Sequence, residues 1–157
     1  EDTSALRAVR LSRLARYENR MDDADALSAA AVSGGTVTLR SIAERVFVLA
    51  ARDKSNEASP LLAKYPVVLG PMATWLSASA AAAAGHGEEA RGKTSSLDPP
   101  PETASLPSRI VAGMALGRMS DRRRGPAVIR GLIEAGVTNP DIAGAAGPLG
   151  IRVPGGR

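Results

Sequence analysis

A mainly α fold is what this sequence predicts: a small Ala-rich helical core with one or two short strands, a Pro/Gly/Ser-rich linker and an irregular C-terminal tail. Three observations lead there. Alanine is the commonest residue at 29 of 157, and it is the best helix former because it has no side-chain entropy to lose. Only Tyr17, Phe47, Tyr65 and Trp75 are aromatic, so the 44% hydrophobic fraction must pack as Ala, Val, Leu and Ile. Gly, Pro and Ser concentrate at 85–108 and Gly and Pro at 144–157, where composition cannot bury enough surface to offset ordering entropy. The length suits one domain, or one core with an extended arm, and excludes a large fused enzyme. The expected organisation is a helical segment over 1–84 with a short strand near 36–39, a linker over 85–108, a helical segment over 109–143 and an irregular tail over 144–157.

Residues 4–33 read as one helix or two, being free of Pro and Gly. Leu6, Val9, Leu14, Tyr17 and Met21 fall near one face, but Arg10 and Arg13 fall there too. Arg7, Arg10, Arg13 and Arg16 advance by three, so at about 100° per residue they wind across half the helix circumference. That pattern suits an arm lying between other molecules. Gly34-Gly35 ends the run, and Thr36-Val37-Thr38-Leu39 alternates as a short strand. Ser41-Ile42-Ala43-Glu44 spells a capping box, Ser-x-x-Glu, followed by an apolar stripe of Ile42, Val46, Leu49 and Ala50. Residues 53–60 form a polar connection.

Pro66 and Pro71 bracket Val67-Val68-Leu69, which predicts a short strand or extended segment rather than helix. Residues 65–87 hold no Asp, Glu, Lys or Arg. Their Pro, Gly and Ser content, and the weak hydrophobicity of Ala, favour a buried or interfacial helix over 72–84 and disfavour membrane contact through 67–84. The 85–108 linker is expected to be flexible in solution unless a neighbouring chain, a crystal contact or the protein's own surface holds it. A helix over 108–119 places Gly113 and Gly117 four apart, a spacing that permits close helix approach. The next, over 126–135, has Pro126 in its first turn and Gly136 as terminator. Asn139-Pro140 opens a short third turn through Ala143.

Charge is segregated within a net +4. Five Arg against Glu18 lie between Arg7 and Arg20, and six Arg against Asp121 lie between Arg109 and Arg130, so the rest of the chain sums to −5. Two basic segments flank an acidic middle. The contacts expected for a partner or a phosphate are Arg7, Arg10, Arg13 and Arg16 in the first segment and Arg122, Arg123 and Arg124 in the second. The last three precede a helix N-terminus, where guanidinium groups and backbone amides can meet an anion together.

Catalytic, cofactor-binding and metal-ligating constellations are not predicted. The chain has no Cys, which removes disulfides, thiolate metal sites and thiol nucleophiles. His86 is the only histidine and sits between glycines, as an exposed loop residue would. Asp22, Asp23 and Asp25 suit the positive end of the following helix better than a cation. The glycine run from Gly144 to Gly150 lacks the Lys-Ser or Lys-Thr of a phosphate loop. No secretory pattern is visible, compartment is left open, and Glu1 in place of an initiator Met is expected of a processed precursor or a fragment.

Two stretches carry a local resemblance. Thr36 to Arg45 is similar to the positioning helix of bacterial helix-turn-helix repressors. Leu132 to Ala143, with Gly136-Val137-Thr138-Asn139, resembles the corresponding part of response-regulator-type readers. Each implies a DNA-binding regulator, and each lacks the recognition helix that should follow. The Arg-rich segments at both ends, the linker and tail, and the lack of a catalytic constellation make the leading expectation a non-catalytic structural or assembly subunit, such as a virion shell (capsid) component or an accessory subunit of an organellar or ribonucleoprotein complex. Its partners would be other protein subunits, with nucleic acid as the alternative.

Overall fold

The structure is a computed structural model that describes residues 3–34 and 36–154. Gly35 of the expected Gly34-Gly35 break and Gly155-Gly156 of the tail lie outside the described residues. Among the described residues the fold is helical without strands, and two compact units divide the chain at residues 1–73 and 74–157.

The first unit holds α1 (Thr3–Tyr17), α2 (Met21–Ser33), α3 (Leu39–Ala51), α4 (Ala58–Ala63) and α5 (Pro66–Leu69), with a 3-10 turn at Ser55–Glu57 before α4. α1 ends in a Schellman motif: the Arg20 amide donates to the Ala15 carbonyl at 2.8 Å and the Asn19 amide to Arg16 at 3.2 Å. Asn19 takes φ 57° there, a left-handed conformation that Asn tolerates better than most residues. α2 then folds back on α1 through small side chains. Ser12, Ala15, Ala24, Ser28 and Ala31 have no solvent exposure, and Ala15 packs with Ala24. Val48 of α3 closes this cluster, with Met21 and Leu27 packed against it.

Both expected strands are corrected. Residues 36–38 are irregular and Leu39 already begins α3; a strand needs a partner to take its backbone hydrogen bonds, and among the described residues none exists. The β-prone Thr38 serves instead as N-cap. Its side chain accepts from the Ser41 amide at 3.3 Å, and the Ser41 hydroxyl accepts from the Thr38 amide at 2.9 Å. The reciprocal cap is thus Thr38 with Ser41, one turn before the expected Ser41 and Glu44. Pro66-Val67-Val68-Leu69 likewise forms α5 rather than an extended segment, because Pro in the first turn has no amide that the helix would miss.

The second unit contains α6 from Thr74 onward (Met72–Ala83), α7 (Gly87–Thr94), α8 (Leu106–Arg118), α9 (Gly125–Glu134) and α10 (Pro140–Ala146), followed by a 3-10 turn at Gly147–Leu149. Residues 85–108 lie inside it, and only 85–86 and 95–105 lack a helix. α8 starts before Pro107, with Ser105 as its N-cap. The tail is likewise ordered further than expected, since α10 continues to Ala146 and Leu149 and Val153 are buried. Trp75, Leu76, Val111, Leu116, Met119, Ile129, Leu132 and Ile142 make the core.

Gly113 and Gly117 each admit a different neighbour. A Cβ on Gly117 would lie 2.7 Å from Cα of Ala145, and one on Gly113 would lie 3.1 Å from Cδ1 of both Ile129 and Leu132. α10 and α9 therefore approach α8 as closely as its glycines allow.

Candidate interaction surface

Four arginines and no acid occupy α1, and their winding carries them from solvent into the protein. Arg7 and Arg10 are exposed, Arg13 is half-buried, and Arg16 reaches Glu44. Arg16 Nη2 donates to Glu44 Oε1 at 2.8 Å and Nε to Oε2 at 3.1 Å, a two-pronged pair whose side chains are 10% and 4% exposed. Its guanidinium also lies 5.1 Å and 5.5 Å from the ring centres of Tyr17 and Phe47, close enough for cation–π attraction. Ser12 Oγ lies 3.0 Å from Glu44 Oε2 and 3.2 Å from the Ala24 carbonyl; one hydroxyl proton serves one acceptor at a time.

The same unit uses its acids internally. Arg45 donates to Asp25 at 2.7 Å, Arg52 to Asp22 at 2.9 Å and Arg20 to Asp23 at 2.7 Å. The hydrogen bond from Arg45 holds the Asp25 carboxyl below its ordinary value, against a smaller upward push from burial. Asp22, Asp23 and Asp25 are thus partners of arginines, and no cluster of metal-ligating side chains occurs among the described residues.

With Val9, Ser12, Ala15 and Arg16 turned inward, the outward face of α1 carries Arg7, Arg10, Leu11 and Leu14. The two leucines are 42% and 48% exposed. Sequence reasoning put Leu14 on the apolar face and missed this. Hydrophobic size was misleading, because the helix pair is close enough that its buried face takes Ala and Ser. The signal present in the sequence was the small-residue spacing of Ala8, Ser12 and Ala15 in one helix and of Ala24, Ser28 and Ala31 in the next.

In the second unit, Arg122 and Arg123 are exposed while Arg124 turns inward. The Arg124 guanidinium donates to Asp121 Oδ2 from Nε and Nη2 at 3.0 and 2.8 Å, and from Nη1 to the carbonyls of Thr94 and Leu97 at 2.6 and 2.9 Å. It lies 5.6 Å from the Trp75 ring centre. Arg91 adds a bond to the Met119 carbonyl at 2.8 Å. These contacts are the anchor that the 85–108 stretch needed.

Asp121 Oδ1 also accepts from the amides of Arg123 and Arg124 at 3.1 and 2.9 Å. Burial pushes this carboxyl up, but the Arg124 amide and guanidinium and the Arg123 amide together outweigh that and hold it below its ordinary value. A carboxylate of the chain itself therefore sits where a phosphate was expected to meet those amides.

Other chemistry is sparse. His86 is exposed, with Nδ1 3.6 Å from Glu89. A cavity of about 170 Å³ is lined by Met114, Arg118, Pro140, Asp141, Gly144 and Ala145, well below the roughly 300 Å³ of small ligand pockets. No helix among the described residues is long and apolar enough to cross a membrane. No protein family matches the chain, and neither a curated protein nor a solved structure matches it.

Proposed function

We propose that the chain is a non-catalytic structural subunit of a larger protein assembly and contacts a neighbouring subunit through the outward face of α1. One observation carries this reading: Leu11 and Leu14 are exposed beside Arg7 and Arg10 on a helix whose other face is already packed. Two leucines one turn apart and exposed beside two arginines are the combination that interfaces favour, since interfaces join apolar contact with arginine. A virion shell and an organellar or ribonucleoprotein complex are both assemblies of the kind intended. The ordered 85–108 stretch no longer argues for a partner, since Arg124 and Arg91 hold it.

Sedimentation in a gentle extract of the protein's own source cells tests the proposal. The wild-type chain is expected to sediment far above a monomer, and the Arg7→Glu/Arg10→Glu variant to return to the monomer position. Monomeric sedimentation of the wild type would overturn it. The DNA-binding alternative has less support: α3 is followed by a 3-10 turn and the six residues of α4, and α10 by the 3-10 turn at Gly147–Leu149. Neither is a helix placed for reading a major groove.

A further inference from the structure

We infer that the outward seam of α1 receives an acidic amphipathic helix of another protein, with carboxylates facing Arg7 and Arg10 and aliphatic side chains facing Leu11 and Leu14. This rests on the assembly reading and names the partner's chemistry. Arg7, Arg10, Leu11 and Leu14 follow the i, i+3, i+4, i+7 spacing along which one helix packs against another. The seam is divided: its first turn is cationic, its second apolar. α1 holds no acid, its Arg16 is committed to Glu44, and Arg7, Arg10 and Arg13 form no ion pair among the described residues. Positive charge that no described acid pairs, beside exposed leucine, selects a partner with both carboxylates and apolar surface.

Other occupants fit less well. A second copy packed in parallel would set Arg7 and Arg10 against themselves, and packed antiparallel would set arginine against leucine. Nucleic acid would match the arginines and leave the leucines uncovered. An anionic bilayer prefers a broad apolar face bordered by cations, whereas here two leucines share one face with two arginines.

The test uses fluorescence anisotropy with the intact chain and three labelled, lactam-bridged helical peptides of about 20 residues, roughly 30 Å long. The first has Glu in one half of its seam and Leu in the other, the second replaces Glu by Lys, and the third replaces Leu by Ala. The Glu/Leu peptide is expected to bind, and the other two at least about tenfold more weakly. Arg7→Glu/Arg10→Glu in the chain should reverse the preference toward the Lys peptide, a gain that a folding defect cannot produce. Leu11→Ser/Leu14→Ser should weaken binding of the Glu/Leu peptide with an unchanged helical circular dichroism spectrum. Absent binding, equal binding of the Glu and Lys peptides, or binding instead to phosphatidylserine vesicles, duplex DNA or a second copy through these residues overturns the inference. If the chain sediments within an assembly but ignores the Glu/Leu peptide, the partner chemistry fails and the assembly reading survives. Peptide binding by a chain that sediments alone in its own cells has the opposite meaning.

Discussion

Replacing Arg16 by Met removes the partner of a carboxylate that has almost no access to water. Glu44 is 4% exposed and takes two guanidinium hydrogen bonds at 2.8 and 3.1 Å; after the substitution the Ser12 hydroxyl, 3.0 Å away, is a remaining donor. Breaking one side of a buried pair costs about 3–5 kcal/mol. The surviving Ser12 bond and the 10% exposure of Arg16 place the expected loss near the lower end, at about 3 kcal/mol. A unit of this size has a total stability on the order of 4–10 kcal/mol, so the loss is a large share. Removing both charges with Arg16→Met/Glu44→Met should restore most of it, because two well-packed apolar side chains carry no desolvation penalty. Trp75 belongs to the second unit and its fluorescence would miss the change. Hydrogen exchange of the α1, α2 and α3 amides, read by mass spectrometry, reports the first unit directly. A loss below about 1 kcal/mol in Arg16→Met, or a double variant no better than the single, would refute the argument that this pair is desolvated and coupled.

Gly117→Ala should destabilise the second unit by about 1–3 kcal/mol, since its Cβ would lie 2.7 Å from the Ala145 backbone; thermal unfolding followed at Trp75 measures this, and an unchanged Tm contradicts the close approach of α8 and α10. Ser120→Gly should stabilise the same unit by about 0.5–1 kcal/mol, because Ser120 sits at φ 54° in a helix-terminating motif. Arg124→Ala should open residues 95–105 to limited proteolysis while leaving α1 protection unchanged; continued resistance would mean that the Thr94 and Leu97 carbonyls are not what hold this stretch. Asp121 has its folded pKa below the ordinary 3.8, so its contribution is fully present above that value and is lost as pH falls through the lower folded value. Urea titrations across that acid range should therefore show a steeper stability decline in the wild type than in Asp121→Asn.

Helical content, most helix ends and the role of Gly117 are legible in the sequence because they are local or nearly so. Ala richness sets backbone preference, Asn139 caps α10 by accepting from the Ile142 amide three residues on, and Gly136 ends α9 at φ 86°. The Arg7 to Arg16 series could be read as a candidate contact, and its pitch already implied that the four residues could not all face one partner. Which of them points outward could not be read. Arg16 and Glu44 are 28 positions apart, and Arg124 and Thr94 are 30 apart. Only folding brings such groups together, and only burial then turns an exposed-looking arginine into an internal anchor. Glu44 shows the competition plainly: its spacing from Ser41 suits a cap, but a guanidinium in a desolvated site is the stronger partner, and Thr38 takes over the cap. By itself the sequence determined that the chain is mainly helical and where several of its helices begin and end, since backbone propensity and capping act over a few residues. The tertiary structure decided which face of α1 is the surface, because the face of Val9, Ser12, Ala15 and Arg16 packs inward and leaves Leu11 and Leu14 outward beside Arg7 and Arg10.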